Sequence, residues 1–126
     1  MIDVLIVDDH PVMRELLRQV LEKNPNISIV GEAANGEDAV RQATQFRPAV
    51  AIVDLHLQTM SGLEATKLIT LLCPSTAIIG LIAGEPDHTE LAMLKAGACS
   101  VINKADIVSG LNSAIIEAAK PLKTAI

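Results

Sequence analysis

Two short runs of strand-forming aliphatic residues in this chain end abruptly in carboxylates. Residues 50–54 read Val-Ala-Ile-Val-Asp, and residues 4–9 read Val-Leu-Ile-Val-Asp-Asp. A strand that is apolar on both faces is typical of a parallel sheet covered by helices, in which the functional crevice lies beyond the carboxyl ends of the strands. A single Asp in such a place usually caps a turn or a helix, whereas three acids delivered by two strands indicate a site. We therefore expect Asp8, Asp9 and Asp54 to lie at one edge of a sheet.

Strand-like and helix-like segments alternate five times along the chain. The predicted strands cover residues 4–7, 27–30, 50–54, 76–82 and 100–103, and helices are predicted to start near Pro11, Asn35, Leu63, Asp87 and Asp106. This alternation predicts an α/β fold with a doubly wound, five-stranded parallel sheet. If the strand order is the flavodoxin-like 2-1-3-4-5 of a (βα)5 domain, strands 1 and 3 are neighbours and the three acids converge. The partial apolar alternation of the second strand predicts a position at a sheet edge.

The composition narrows the possible function classes. A domain of 126 residues can bury a core unaided, and with Phe46 as its one aromatic residue this core must be aliphatic. A formal net charge of −5 offers no basic footprint, so the chain is not expected to bind nucleic acid by itself. No apolar stretch approaches the roughly 20 residues needed to cross a bilayer, and the first residues do not resemble a signal peptide. Cys73 and Cys99 lack metal-ligand spacing, so a cytoplasmic location with reduced thiols is expected.

The predicted cluster of acids favours phosphate chemistry. Three neighbouring carboxylates repel one another, and Mg²⁺, which takes carboxylate and phosphate oxygens, would neutralise them. A carboxylate can also act as a nucleophile and form an acyl phosphate. Lys104 directly follows the fifth predicted strand and can bring an ammonium group to the same edge, where it would neutralise charge on a phosphoryl group. The alternative for Lys104 taken alone is a solvated surface lysine.

Four parts of the sequence together resemble the receiver domain of bacterial two-component response regulators. They are residues 5–11 (LIVDDHP), residues 31–36 (GEAANG), residues 52–55 (IVDL) and Lys104. The combination of an acidic pair, a central Asp and a late Lys is highly specific, and the resemblance covers residues 3 to about 119. The first two segments are most similar to receivers of the LuxR/NarL type, which are attached to helix-turn-helix output domains. We accordingly expect a receiver domain over residues 1–120, with a tail or the start of a linker over residues 121–126.

The resemblance implies a role for each residue of the cluster. Asp54 would accept a phosphoryl group from a phosphohistidine on a sensor histidine kinase. Asp9 and Asp54 would ligate Mg²⁺, Asp8 would act partly through water, and the main-chain carbonyl of His56 would be a further ligand. Lys104 would contact the phosphoryl group. Such a chain catalyses its own phosphorylation and is not a turnover enzyme.

Two positions depart from the switch of this family. Receivers normally carry a hydroxyl residue at the end of the fourth strand and an aromatic residue three positions before the lysine, whereas this chain has Ile82 and Val101. Isoleucine has no hydroxyl to donate to a phosphoryl oxygen, and Thr76 lies at the wrong end of the strand to replace it. Gln58 and Ala105 also stand where prolines are common. One interpretation is that these substitutions reflect drift within an aliphatic strand. The other is that the output of the domain depends only weakly on phosphorylation, or is coupled to it by another route.

The three histidines are interpreted from their positions. His10 is expected to start a helix beside the site without ligating the metal, and His88 is expected at the surface. His56 follows Asp54 by two residues, where it either overhangs the phosphoryl group or is an exposed loop residue.

Three functions remain open for such a domain. The first is a phosphorylation-controlled switch that acts on an output such as a DNA-binding domain absent from this chain. The second is a phosphorylation-independent, constitutive interaction module, which Ile82 and Val101 favour. The third is a Mg²⁺-dependent phosphatase or phosphotransferase, for which the sequence shows no convincing acid–base partner. By resemblance, a homodimer would form through the fourth helix, the fifth strand and the last helix.

Overall fold

The computed structural model describes residues 1–84 and 88–121 of the chain. Its elements are β1 (Ile2–Val7), α1 (Pro11–Glu22), β2 (Ile27–Ala33), α2 (Gly36–Phe46), β3 (Val50–Asp54), α3 (Gly62–Leu72), β4 (Ala77–Ile82), α4 (His88–Ala96), β5 (Ser100–Asn103), a 3-10 turn (Lys104–Asp106) and α5 (Ile107–Ala118). The strands are all parallel and lie in the order β2-β1-β3-β4-β5. The predicted doubly wound (βα)5 fold is therefore confirmed, and β2 lies at an edge of the sheet as expected.

Alternate residues of the central strands fill two aliphatic core layers, one on each face of the sheet. On one face Leu5 and Val53 belong to a cluster with side chains of α2, α3 and α4. On the other face Ile6 and Ile52 belong to a cluster with side chains of α1 and α5. All four of these strand residues are fully buried, and Phe46 is 43% exposed, so the core is aliphatic as predicted. Burial on both faces explains why β1 and β3 are continuous apolar runs.

Local sequence signals set several helix boundaries. Pro11 occupies the first position of α1, where its missing amide proton costs nothing. The side chains of Asn35 and Ser61 cap α2 and α3 by accepting hydrogen bonds from backbone amides of the first turn. Gly97 follows α4 with a φ of 123°, which only glycine adopts without strain. These four residues explain where α1, α2 and α3 begin and where α4 ends.

β2 is longer than the residue pattern predicts. It continues past Val30 to Ala33, and a register shift relative to β1 falls between Ile29 and Gly31. A Cβ atom on Gly31 would come within 2.2 Å of Gln42 Oε1, the end of a flexible side chain, so α2 packs closely on this strand and Gln42 would have to move for a larger residue. The bulge accounts for the imperfect alternation of the segment.

Two predictions concern residues outside the described part of the chain. Asp87, the expected cap of α4, and residues 122–126 of the expected tail are not described. The cap and the domain boundary at residue 120 therefore stay predictions. Within residues 1–84 and 88–121, no helix combines the length and apolar character that a membrane span requires.

Candidate functional site

The carboxyl ends of β1 and β3 lie side by side. Val7 pairs with Val53 in parallel register, so the residues that follow them, Asp8 and Asp54, reach the same edge of the sheet. Asp8 is 0% exposed and Asp54 is 1% exposed. The fold therefore holds two carboxylates in the protein interior, where the strand pattern placed them.

Lys104 reaches this edge from the end of β5. Its Nζ lies 3.1 Å from Asp54 Oδ2 and 3.2 Å from Asp8 Oδ2, so one ammonium group bridges both buried carboxylates. The lysine side chain is only 17% exposed and is not a solvated surface group. Because β4 and β5 pair Ile82 with Asn103, the residue after Asn103 emerges directly at the acidic edge.

The buried charged groups of the site shift the pKa values of Asp54 and Lys104. Burial raises the pKa of Asp54 above its ordinary value and the charge of Asp8 raises it further, while Lys104 and the amide of His56 act in the opposite direction. Burial alone would lower the pKa of Lys104, but the charges of Asp54 and Asp8 outweigh it, and the pKa of Lys104 is raised. Lys104 therefore stays charged, yet it does not fully offset the cost of ionising Asp54.

Asp9 and His10 complete the cluster just before α1. His10 Nδ1 lies 2.8 Å from Asp9 Oδ1 and 3.3 Å from Asp8 Oδ1. One candidate ligand atom from each of Asp8, Asp9, His10 and Asp54 lies within 4.8 Å of the others. His10 directly precedes α1, as expected, but the approach of its ring to both acids is a feature that the residue pattern does not indicate.

The donor set fits a hard divalent cation. Among the described residues, Asp8 Oδ2 and Asp9 Oδ1 are buried side-chain oxygens that make ion-pair contacts but no well-oriented hydrogen bond. Their positive neighbours are Lys104 and, when protonated, His10. Mg²⁺ prefers carboxylate oxygens and would satisfy both of these atoms. The cluster is therefore an acidic pocket suited to Mg²⁺.

The loop that follows β3 is held against Asp54. The amide of His56 donates a hydrogen bond to Asp54 Oδ1 over 3.2 Å, and the His56 residue is exposed. A Cβ atom on Gly62 would come within 1.9 Å of the Asp54 carbonyl oxygen, so the start of α3 touches the backbone of the site. The ligand role expected for the His56 carbonyl stays a prediction.

Comparison with known proteins identifies the family. A family model for the response regulator receiver domain matches residues 4–115. The chain belongs to the response regulator receiver family. The resemblance carried by the acidic pair, the central Asp and the late Lys is thereby confirmed.

Three similar proteins show the range of the family. The receiver is 37% identical over 120 residues to the transcriptional regulatory protein LiaR of Bacillus subtilis. This alignment covers 95% of the present chain and 57% of LiaR. It is 39% identical over 112 residues to protein-glutamate methylesterase/protein-glutamine glutaminase 1 of Syntrophus aciditrophicus, covering 86% of this chain and 32% of that enzyme. The crystal structure of a LuxR-family two-component response regulator from Aurantimonas sp. SI85-9A1 aligns with a TM-score of 0.83 at 26% identity, over 93% of this chain and 86% of that one.

These matches indicate the type of receiver and how much of each relative the chain covers. The predicted resemblance to receivers of the LuxR/NarL type is confirmed by the LiaR and Aurantimonas matches. The chain spans 57% of LiaR and 32% of the methylesterase, so the activities of those whole proteins do not pass to it directly.

The switch positions of this receiver are packed into its core. Ile82 is 5% exposed and belongs to the same apolar cluster as Met93 of α4, and Val101 packs against that cluster. Thr76 Oγ1 donates a hydrogen bond to the Pro48 carbonyl over 2.8 Å, before the start of β4. Thr76 therefore lies far from Asp54, and the expectation that it does not replace the missing hydroxyl is consistent with its position.

Asn103 joins two loops of the receiver beside Lys104, a contact that the residue pattern does not indicate. Its side-chain amide donates to the Gly84 carbonyl, and its Oδ1 accepts a hydrogen bond from the amide of Ala105 over 3.0 Å. Asp106 makes no side-chain capping hydrogen bond to α5, which corrects the predicted cap. Asp106 keeps the N-cap position but also ends the 3-10 turn, and its backbone (φ −104°, ψ 9°) is not the extended conformation from which an N-cap side chain usually accepts a hydrogen bond. A lone Asn at a strand end is too common a signal to have indicated this contact.

Proposed function

We propose that this receiver accepts a phosphoryl group on Asp54 from the phosphohistidine of a sensor histidine kinase and acts as a cytoplasmic signalling switch. The observation that carries the proposal is the position of Asp54, with Oδ2 3.1 Å from Lys104 Nζ and Asp8 close by. A buried carboxylate without such partners would be costly. An anionic nucleophile that must receive an anionic phosphoryl group needs positive charge beside it.

The proposed transfer assigns a role to the three acids, to the backbone of His56 and to Lys104. An Asp54 oxygen attacks the phosphorus, the P–N bond of the phosphohistidine breaks, and the kinase imidazole leaves with the electron pair and takes up a proton. A bound Mg²⁺ would neutralise charge on the phosphoryl oxygens, and Asp8, Asp9, Asp54 and the His56 carbonyl would hold it. The His56 amide orients one Asp54 oxygen. Lys104, which contacts the other oxygen, would shift to the incoming phosphoryl group.

The output is proposed to be transcriptional. LiaR is a transcriptional regulatory protein and the Syntrophus relative is an enzyme, so receivers of this kind serve more than one output. We favour a DNA-binding partner domain, because the Asp-Asp-His-Pro run and the Gly-Glu-Ala segment resemble receivers of the LuxR/NarL type. With a formal net charge of −5, the receiver itself is proposed to bind no nucleic acid. It is proposed to act as a switch and not as a turnover enzyme.

Phosphorylation is expected to depend on Mg²⁺. Incubation with acetyl phosphate and Mg²⁺ should add the mass of one phosphate, and chelation of the metal should prevent it. Asp9→Ala should lose both Mg²⁺ binding and labelling, because it removes a buried carboxylate oxygen of the acidic cluster. Asp3→Ala, which removes an exposed acid near the other end of β1, should change neither. Labelling at full rate in the presence of chelator contradicts the proposed site.

A second candidate function is a constitutive interaction module that keeps the fold but does not respond to phosphate. The packing of Ile82 and Val101 against the core favours it, because neither side chain can form the usual hydroxyl contact. A hydrogen bond to a charged group is worth about 1.5–3 kcal/mol. Its loss would reduce the population shift by roughly one to two powers of ten. Lys104 would still contact the phosphoryl group, so the phosphorylated and unphosphorylated states would still differ. The switch therefore remains the favoured function.

Beryllofluoride should therefore cause only local changes. Amide chemical shifts are expected to move around Asp54 and Lys104, while α4 and β5 change little. The double variant Ile82→Thr with Val101→Tyr should enlarge the response if the ring can be accommodated, and Val101→Tyr alone should not, because it restores no hydroxyl at the end of β4. Large shifts across residues 84–103 in the natural sequence would reveal another relay and contradict the expectation.

A homodimer is proposed through α4, β5 and α5. The exposed apolar side chains on the two helices include Leu91 and Leu94 of α4 and Val108 and Ile116 of α5. Sedimentation at high concentration should detect dimers that Leu91→Asp weakens. Leu71→Asp on α3, which replaces a leucine that is 75% exposed, is the matched control and should leave them intact. A monomer at every concentration, with and without beryllofluoride, would refute the dimer.

A further inference from the structure

His10 adds a nitrogen donor to a cation site that is otherwise made of oxygen. Its Nδ1 lies 2.8 Å from Asp9 Oδ1 and 3.3 Å from Asp8 Oδ1. Adjacent ligand atoms around an octahedral ion with bonds of about 2.1 Å lie roughly 3 Å apart. The ring nitrogen and the two carboxylate oxygens therefore already have the spacing of neighbouring ligands on one ion.

The position of the ring is not explained by helix capping. The His10 side chain makes no capping hydrogen bond to α1. The residue is anchored through its backbone amide, which donates to Asp8 Oδ1 over 2.9 Å, while the imidazole turns toward the acids although its side chain is 67% exposed. The ring nitrogen is therefore directed into the acidic cluster from its exposed side.

We propose that His10 Nδ1 is a ligand of the divalent-cation site and shifts its preference from Mg²⁺ toward first-row transition ions such as Co²⁺, Ni²⁺ and Zn²⁺. The inference rests on the proposed function, since it assigns a further ligand to the same site. Imidazole suits these ions, whereas carboxylate and water suit Mg²⁺. The oxygen part of the mixed donor set comes from the buried Asp9 Oδ1 and from the fully buried Asp8 carboxylate, whose Oδ1 faces the ring while its Oδ2 contacts Lys104.

Calorimetry on the untagged chain tests the preference. Ni²⁺ should bind to His10→Ala at least about tenfold more weakly than to the natural sequence, because even residues that only support a metal ligand cost about tenfold or more when they are removed. Mg²⁺ binding should be retained. His10→Asn, which keeps a side chain suited to the start of a helix, should behave like His10→Ala. His88→Ala removes an exposed ring at the start of α4, outside the four-residue cluster, and should leave Ni²⁺ binding unchanged.

A second measurement identifies the nitrogen directly. The chain has three histidines, so ¹⁵N-histidine labelling resolves each ring, and Cys99→Ser removes an exposed thiol that would compete for Zn²⁺. One equivalent of Zn²⁺ should shift the Nδ1 resonance of His10 and leave His88 unmoved. A shift at His56 or His88 in place of His10, or an equal Ni²⁺ affinity in His10→Ala, overturns the assignment.

The outcomes separate this inference from the proposed function. An equal loss of Mg²⁺ and Ni²⁺ affinity in His10→Ala would mean that His10 positions Asp8 and does not select the ion, which also overturns the inference. If His10→Ala fails these tests while Mg²⁺ still supports labelling of Asp54, only the inference fails. If Mg²⁺ neither binds to the natural sequence nor supports labelling, the proposed function fails, whatever the result with Zn²⁺.

Discussion

Replacing Asp54 by asparagine is expected to abolish phosphate incorporation from acetyl phosphate. The amide keeps the shape of the side chain but removes the nucleophilic oxygen pair that lies between Lys104 and the His56 amide. Mass spectrometry should show one added phosphate in the natural sequence and none in Asp54→Asn. Asp3→Asn, an exposed site near the other end of β1, should be labelled normally. An unchanged yield in Asp54→Asn would show that another residue is the acceptor.

The same variant should be more stable than the natural chain at neutral pH. Because burial and the charge of Asp8 raise the pKa of Asp54, the ionised group is less favourable in the folded state than in the unfolded state. The stabilising contribution of protonated Asp54 is fully present at pH values below the unfolded-state pKa and is lost as pH rises through the folded-state pKa. Asparagine does not titrate, so the gain should be largest at neutral pH and should shrink in acid. Denaturant unfolding at several pH values measures this, and a loss of stability at pH 7 contradicts it.

Gly62→Ala is expected to destabilise the fold on the order of 3 kcal/mol, at the upper end of the usual cost of overpacking. The new Cβ atom would lie 1.9 Å from the Asp54 carbonyl oxygen and 2.7 Å from the Leu55 Cα. These are backbone atoms of the β3 end, which cannot move aside as a flexible side chain can. Relief of the clash must displace either α3 or the backbone of Asp54, so labelling should weaken as well. Chemical denaturation provides the free energy of unfolding.

Gly110→Ala is the matched control, and its effect should have the opposite sign. A Cβ atom at Gly110 would meet no heavy atom within 4 Å, and the residue lies inside α5. Alanine should stabilise this position by about 0.5–1 kcal/mol, because glycine loses more backbone freedom on folding. If Gly62→Ala is as well tolerated as Gly110→Ala, the inference that α3 approaches the Asp54 backbone closely is wrong.

Properties that depend on neighbouring residues in the chain were determined by the sequence itself. Continuous apolar runs define strands buried on both faces, and the acid at the end of each run must lie at the carboxyl edge of a parallel sheet. Pro11, Asn35 and Gly97 mark helix ends through the conformations that each residue type favours. The fold class and the identity of Asp8, Asp9 and Asp54 as site candidates follow from these signals, since strand period and chain punctuation are local properties.

The chemistry of the site was decided only by the tertiary structure. Asp8 and Asp54 are neighbours because β1 pairs with β3 in a register that aligns Val7 with Val53. Lys104 meets Asp54 across 50 positions of sequence, and burial of the pair decides the direction in which the pKa of each group moves. The turn of the His10 ring toward the acids likewise depends on how α1 follows β1. Such contacts arise from strand register, helix packing and exclusion of water, which act between distant residues and leave no periodic trace in the sequence.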